Sequence, residues 1–224
     1  MRPLRRIIPF SIRLKIEIEV NRSLAKGSRI IEIPFVLGNI NVYEPSKVLS
    51  FGCFNDIISI ELASMGFSVS GFDINERTFN HPNFHFVQGN FLETSNSIPD
   101  NSFDLAYALS SIEHVGLEVY GQSLYENGDK DVARIIHRLL KPGGKFLVTV
   151  PFGKCGLYPK GKPTYRKYER KDLRQLLNDF EKYSVAYYGW NLRSNWAPVA
   201  PETLEKTDGD TPVGVACIAA YKRN

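Results

Sequence analysis

Residues 48–75 read VLSFGCFNDIISIELASMGFSVSGFDIN, and the rest of the chain is organised around them. An apolar run, Lys47–Phe51, stops at Gly52. A helical pattern follows, with apolar residues at Ile57, Ile58, Ile60, Leu62, Ala63 and Met65, closed by Gly66. A second apolar run, Phe67–Phe72, ends at the carboxylate of Asp73. Strand, glycine turn, helix, glycine stop, strand and acidic residue are the parts of a nucleotide-binding βαβ unit. A dinucleotide site would also show G-x-G-x-x-G, and here Gly52 stands without the later glycines.

Downstream, the same alternation continues. Residues 83–88 (NFHFVQ) and 103–109 (FDLAYAL) read as a third and a fourth strand. Residues 127–140 carry Val132, Ile135, Ile136, Leu139 and Leu140 at helical spacing, which predicts a helix. Lys141-Pro142-Gly143-Gly144 ends it, because proline cannot continue a helix and glycine supplies a left-handed turn. A fifth strand follows at 145–150 (KFLVTV), then a basic loop to about Lys167 and a short helix near 170–180. Residues 183–190 and 213–222 close the chain as a strand pair separated by a turn-rich loop, which predicts an antiparallel edge. Strands alternating with helices imply a doubly wound, mostly parallel sheet.

Upstream, residues 11–20 (SIRLKIEIEV) alternate apolar and charged side chains, the pattern of a half-buried strand. Residues 29–37 (RIIEIPFVL) are apolar, but Pro34 forbids a central strand there. Residues 1–45 therefore read as an N-terminal extension packing on a domain of residues 46–224. Arg2, Arg5 and Arg6 read as a solvated basic tail.

Composition sets the outer bounds. The 224 residues suffice for one sizeable core, and 43% hydrophobic with 23% charged residues is ordinary for a globular protein. No apolar run approaches the ~18–20 residues that span a bilayer. Cys53, Cys155 and Cys217 are an odd count without CxxC spacing, which points away from a disulfide framework or a metal site and toward the cytoplasm. A net charge of +4 does not by itself indicate nucleic acid.

The series VLSFGC, GFDIN, NFHFVQGN, FDLAYALSSIEHV and LLKPGGKFLVTVPFG resembles the class I S-adenosylmethionine-dependent methyltransferases. The resemblance runs from about Pro34 to the C-terminus and implies a seven-stranded sheet with helices on both faces and the last strand antiparallel. It implies S-adenosylmethionine as cofactor, held by Phe51, Gly52, Cys53, Asp73, Ile74, Asn90, Phe91, Leu109, Ser110 and Ser111. Asp73 would accept the ribose hydroxyls, Asn90 would face the adenine amine, and Leu109 to Ser111 would pass under the methionine portion. The chain departs from the family pattern at Ser50, where an acidic residue is usual, and at Phe54 and Asp56, which replace later glycines.

For a hydroxyl acceptor a base is useful, and His114 in SSIEHVG is the candidate, with Glu113 as its partner. Tyr120, Tyr165 and Arg166, on loops with many cations and tyrosines, are candidate acceptor contacts for a small or glycan-like molecule, suited to an anionic one. Residues 119–129 (VYGQSLYENGD) read as a lid. The reading is thus an O-methyltransferase; its rival is a non-catalytic protein of the same fold with a degraded pocket.

Overall fold

The computed structural model describes residues 27–41, 46–119, 121, 124–191, 195–206 and 214–224. The strand expected at 11–20 and the basic tail before it lie outside the described residues. Five parallel strands come first in the chain: β1 (Lys47–Phe51), β2 (Ser68–Asp73), β3 (Phe84–Gln88), β4 (Phe103–Leu109) and β5 (Leu140–Pro151). After them come a separate hairpin of β6 (Gly156–Tyr158) and β7 (Tyr165–Lys167), then β8 (Lys182–Asn191), β9 (Asn195–Pro198) and β10 (Gly214–Tyr221). The main sheet has the order β3-β2-β1-β4-β5-β10-β8-β9. β10 is antiparallel to both β5 and β8, as the tail pattern predicts. Among the described residues the short edge strand β9 makes the sheet eight-stranded, one more than expected, with Trp190 facing Trp196 across the added pair.

Each face of the sheet has its own core. One buries Leu49, Phe51, Ala106, Ala108, Phe146, Val148 and Val150 under two helices, α4 (Gly128–Leu139) and α5 (Arg170–Leu176). The other buries Val48, Val69, Leu105, Tyr107 and Leu147 under α1 (Arg29–Gly38) and α2 (Ile58–Ser64). Burial on both faces is why these strands read as near-continuous apolar runs. In α4 the predicted apolar stripe is the buried one: Val132, Ile136 and Leu139 are all fully buried.

Three local readings change. The KPGG turn does not precede the fifth strand; it is a bulge within it, because pairing jumps from Phe103↔Leu140 to Leu105↔Lys145. Gly143 takes φ +71° there, a value only glycine adopts without strain. Between β3 and β4, where the pattern gave no element, lies a short helix α3 (Phe91–Thr94). Residues 29–37, read only as an apolar stretch that Pro34 bars from a central strand, lie in the helix α1, with Pro34 inside it. Proline removes one helical hydrogen bond; packing of Val36, fully buried, together with Ile33 and Phe35 against the sheet holds the helix regardless. A sixth helix, α6 (Pro201–Glu205), is tied to α5 by Arg170, which donates to Glu205 Oε1 from both its backbone amide and its Nε at 3.0 Å.

Candidate functional site

The sheet order reverses between β1 and β4, and a cavity of about 390 Å³ opens at the carboxyl ends of β1, β2 and β4. Crevices of this kind are where open α/β sheets bind ligands. Of the ten residues expected at the cofactor, eight line it: Phe51, Gly52, Asp73, Ile74, Asn90, Phe91, Ser110 and Ser111. Cys53 and Leu109 do not. Cys53 is buried behind the wall against Gly71, and burial pushes its thiol up to about 12. Leu109 belongs to the core under α1 and α2, and only its carbonyl reaches the corner, accepting from Ser111 Oγ at 2.8 Å.

Gly52 sits at φ +71°, and its amide donates to the Phe72 carbonyl at 2.9 Å. A Cβ built there would stand 2.4 Å from both Cβ and Oγ of Ser111. The β1 turn and the β4 corner therefore touch, and only a hydrogen at Gly52 permits the approach. Asp73 closes the β2 end. Its Oδ2 accepts from the Phe54 amide at 2.8 Å, and its Oδ1 accepts from the Asn75 amide at 2.8 Å. Oδ1 also accepts from Asn75 Nδ2 at 3.2 Å; a carboxylate has about four acceptor sites, so Oδ2 keeps one toward the cavity. Asn90 caps α3, its Oδ1 accepting from Leu92 N at 3.2 Å and its Nδ2 donating to Glu93 at 2.9 Å.

The departures from the glycine pattern have a structural answer. Asp56 folds back so that Oδ2 accepts from Ser50 Oγ at 3.0 Å and from the Tyr107 hydroxyl, while Oδ1 takes the Ile58 amide at 2.8 Å. The helix α2 thus starts at Ile58, and its first amides are capped by Asp56 rather than aimed at the cavity. Arg77 holds the same loop from outside, donating to the Cys53 carbonyl, to Ser59 Oγ at 3.0 Å and to the Asp56 carbonyl at 2.5 Å. Side chains here replace the backbone compactness that further glycines would give.

Two residues that sequence reasoning missed come from α1. Arg29 lines the cavity. Glu32, fully buried, accepts from Arg29 at 2.9 Å, Ser28 Oγ at 3.1 Å, Thr149 Oγ1 at 2.8 Å and the Ser110 hydroxyl. A single acid inside the apolar run RIIEIPFVL was the available signal. A charge is buried only when it has partners.

His114 lines the cavity from a 3-10 turn, Ile112–His114. Its Nδ1 bonds the Thr164 carbonyl. A carbonyl only accepts, so Nδ1 carries the hydrogen and the ring's lone pair lies on Nε2. Burial lowers the pKa of the imidazole below 6.5, opposed by the Thr164 bond and reinforced by Arg29 and Arg166. Glu113 does not line the cavity; its Oε1 lies 3.9 Å from His114 Nε2, and its buried Oε2 has no hydrogen-bond partner among the described residues. Burial pushes its carboxyl well above the ordinary value, and Glu32 adds to the shift.

Among the expected acceptor contacts, Tyr120 lies outside the described residues. Tyr165 is buried and stacks on Tyr158 with centroids 6.1 Å apart. Arg166 is tied to backbone on either side of one loop, donating to the Val115 carbonyl, the Glu126 carbonyl at 3.1 Å and the Glu113 carbonyl at 3.4 Å. Neither Tyr165 nor Arg166 faces the cavity. Of the segment read as a lid, Tyr125 is exposed and donates to Asp131.

The lining suits a nucleoside joined to an amino-acid-like tail. Phe51, Phe72, Phe91, Ile74 and Val132 offer apolar walls, Asp73 an acceptor for hydroxyls, and Arg29 a cation for a carboxylate. Among the described residues no group of three His, Cys, Asp or Glu side chains could hold a metal ion, and no helix is long and apolar enough to cross a membrane.

The sequence profile of a family described as methyltransferase domain matches residues 33–195. No curated protein sequence matches the chain. Many solved structures share its fold. The 1,6-didemethyltoxoflavin-N1-methyltransferase of Burkholderia thailandensis, solved with 1,6-didemethyltoxoflavin and S-adenosylhomocysteine, is 16% identical; the match covers 95% of this chain and 84% of that one, with a TM-score of 0.60. An S-adenosylmethionine-dependent methyltransferase from Archaeoglobus fulgidus is 19% identical, with 96% and 100% covered and a TM-score of 0.59. A phosphoethanolamine N-methyltransferase from Haemonchus contortus, solved with phosphomonomethylethanolamine and S-adenosylhomocysteine, is 14% identical, with 88% and 52% covered and a TM-score of 0.60.

Proposed function

We propose, because this chain belongs to the S-adenosylmethionine-dependent methyltransferase family, that it methylates a hydroxyl of a small or sugar-related acceptor. It is an enzyme of that family, and its cofactor is S-adenosylmethionine. In this reading Asp73 takes the ribose hydroxyls, Phe51, Ile74 and Phe91 enclose the base, and Ser110, Ser111 and Arg29 hold the amino-acid end. In this reading the N-terminal extension, residues 1–45, contributes α1, which packs on the domain of residues 46–224. When bound, the cofactor supplies a methyl group already activated for transfer.

The protein's own chemistry is then orientation, exclusion of water and removal of one proton. The observation that carries the hydroxyl reading is His114. Its Nδ1–H is pinned to the Thr164 carbonyl, and its ring lines the cavity. With its pKa lowered by burial, the imidazole is neutral near pH 7 and Nε2 is a base. Glu113, buried behind the same turn, does not meet the acceptor, and its Oε1 at 3.9 Å stands beyond hydrogen-bond reach of His114 Nε2.

Turnover with two acceptor panels, hydroxylated sugars and phenols against primary amines, tests the reading through release of S-adenosylhomocysteine. Hydroxyl turnover that falls by about 10²–10⁴-fold in His114→Gln, with S-adenosylhomocysteine affinity within twofold of wild type, is the expected result. Turnover of amines alone would overturn it. A wild-type protein showing no heat with millimolar S-adenosylhomocysteine would favour the degraded-pocket reading instead.

A further inference from the structure

Ser110 is the residue at which β4 turns into the cavity wall, and it holds φ +41°, a left-handed value uncommon outside glycine. Its backbone cannot hold that conformation cheaply by itself. Three interactions with two neighbours fix it. The Ser110 amide donates to the Thr149 carbonyl at 3.1 Å and to Thr149 Oγ1 at 3.0 Å, and its hydroxyl donates to Glu32 Oε1. Thr149 Oγ1 in turn donates to the same Glu32 oxygen at 2.8 Å. On the other side of the carboxylate, Oε2 accepts from Ser28 Oγ at 3.1 Å and from Arg29 at 2.9 Å. Each oxygen therefore has two donors, which uses the full acceptor capacity of a carboxylate.

The two oxygens do different work. Oε1 belongs to the corner, binding Ser110 and the end of β5. Oε2 belongs to α1, binding the turn that carries Arg29 into the cavity wall. Ser111, the next residue, packs against Gly52 with no room for even a methyl group between them. A shift of the corner therefore reaches both Ser111 and the glycine turn.

We propose that Glu32 is a positioning residue of the methyl-transfer site, a buried strut through which the docking of α1 sets the Ser110 corner and so the cofactor cavity. Glu32 lines no part of the cavity and touches neither reactant; it acts through Ser110 and Thr149. The inference rests on the cofactor reading given above, but the corner's order can be measured without ligand.

Titration calorimetry with S-adenosylhomocysteine, together with amide hydrogen exchange of the free protein, tests it. Glu32→Ala removes all four acceptor bonds and is expected to weaken S-adenosylhomocysteine at least tenfold. In the free protein it should speed exchange of the amides over residues 109–115 at least tenfold while leaving those of β10 unchanged. Glu32→Gln keeps an oxygen for Ser110 and Thr149, and should restore affinity to within about threefold of wild type. Thr149→Val, which leaves Glu32 in place, should cost about fivefold alone and less than twofold in the Glu32→Ala background, because both changes act on one network.

Wild-type affinity in folded Glu32→Ala would overturn the proposal, and so would exchange that rises equally in the corner and in β10. Glu32→Gln no better than Glu32→Ala would also overturn it, since the effect would then run through Arg29 rather than the corner. If Glu32→Ala does not fold, Thr149→Val decides: unchanged affinity and unchanged exchange at the corner refute the strut. If the wild type binds no S-adenosylhomocysteine, the cofactor reading fails by itself, and exchange in the free protein still judges the strut.

Discussion

Two corners meet at the cavity, and they reach the same kind of backbone by opposite means. At the end of β1 the chain turns through Gly52 at φ +71°, where the absence of a side chain removes the penalty. At the end of β4 it turns through Ser110 at φ +41°, where a side chain is present and is bound by Glu32, a residue 78 positions earlier in the chain. One corner is stable by residue type, the other by tertiary hydrogen bonds. A local solution can be read from a sequence; a solution that needs a partner on another element cannot.

Gly52→Ala should break the first corner outright. Its Cβ would meet Ser111 at 2.4 Å in a left-handed conformation, so strain and overpacking add to a loss of about 2–4 kcal/mol. Denaturant unfolding would show the drop, and a loss below about 1 kcal/mol would mean that the contact between the two corners relaxes freely.

Asp73→Ala comes next. Charge-assisted hydrogen bonds contribute about 1.5–3 kcal/mol each, so S-adenosylhomocysteine should bind at least tenfold more weakly. The Phe54 and Asn75 amides also lose their acceptor. A parallel melting curve separates that local loosening from the loss of ligand contact; tight binding in this variant would refute Asp73 as a cofactor residue.

Charge beside the second corner can be probed through pH. Burial raises the Glu113 carboxyl well above its ordinary value of 4.5, so the folded state keeps a proton that the unfolded chain releases. The stability this contributes is complete below about pH 4.5 and is lost as pH rises through the folded value. Glu113→Gln cannot titrate, so its melting temperature relative to wild type should climb as pH is raised from 4.5 to 9. A flat difference across that range would show that Glu113 is ionised in the fold.

Ser110→Gly is the mildest test and the most direct on the comparison. It removes the hydroxyl bond to Glu32 but makes the left-handed conformation free of strain, so the two effects oppose and the net change should stay within ~1 kcal/mol. A loss comparable to Gly52→Ala would mean that the hydroxyl, not the backbone, is what the corner needs.

Legibility followed the same division. The strands β1 to β5, the stripe of α4 and the antiparallel tail were visible because apolar periodicity reports burial on the two sheet faces. Gly52 and Asp73 were visible because each has a reason to be that residue where it stands. The helix α1 was hidden because Pro34 argues locally against regular structure, whereas packing of Val36 and the bonds of Glu32 outweigh one missing helical hydrogen bond. Tyr165 and Arg166 looked like ligand contacts because cations and aromatics crowd that loop; folding turns Tyr165 into core and commits Arg166 to three backbone carbonyls.

By itself, then, the sequence determined the strands β1 to β5, the stripe of α4 and the antiparallel tail, since each depends on periodicity and on turn residues near in the chain. The tertiary structure alone decided how the crevice is finished. Asp56 taking the Tyr107 hydroxyl, Arg77 donating to backbone carbonyls of the loop after β1, and Glu32 joining α1 to the Ser110 corner are bonds between residues distant in sequence. No local pattern encodes such bonds, because their partners become neighbours only after the sheet has formed.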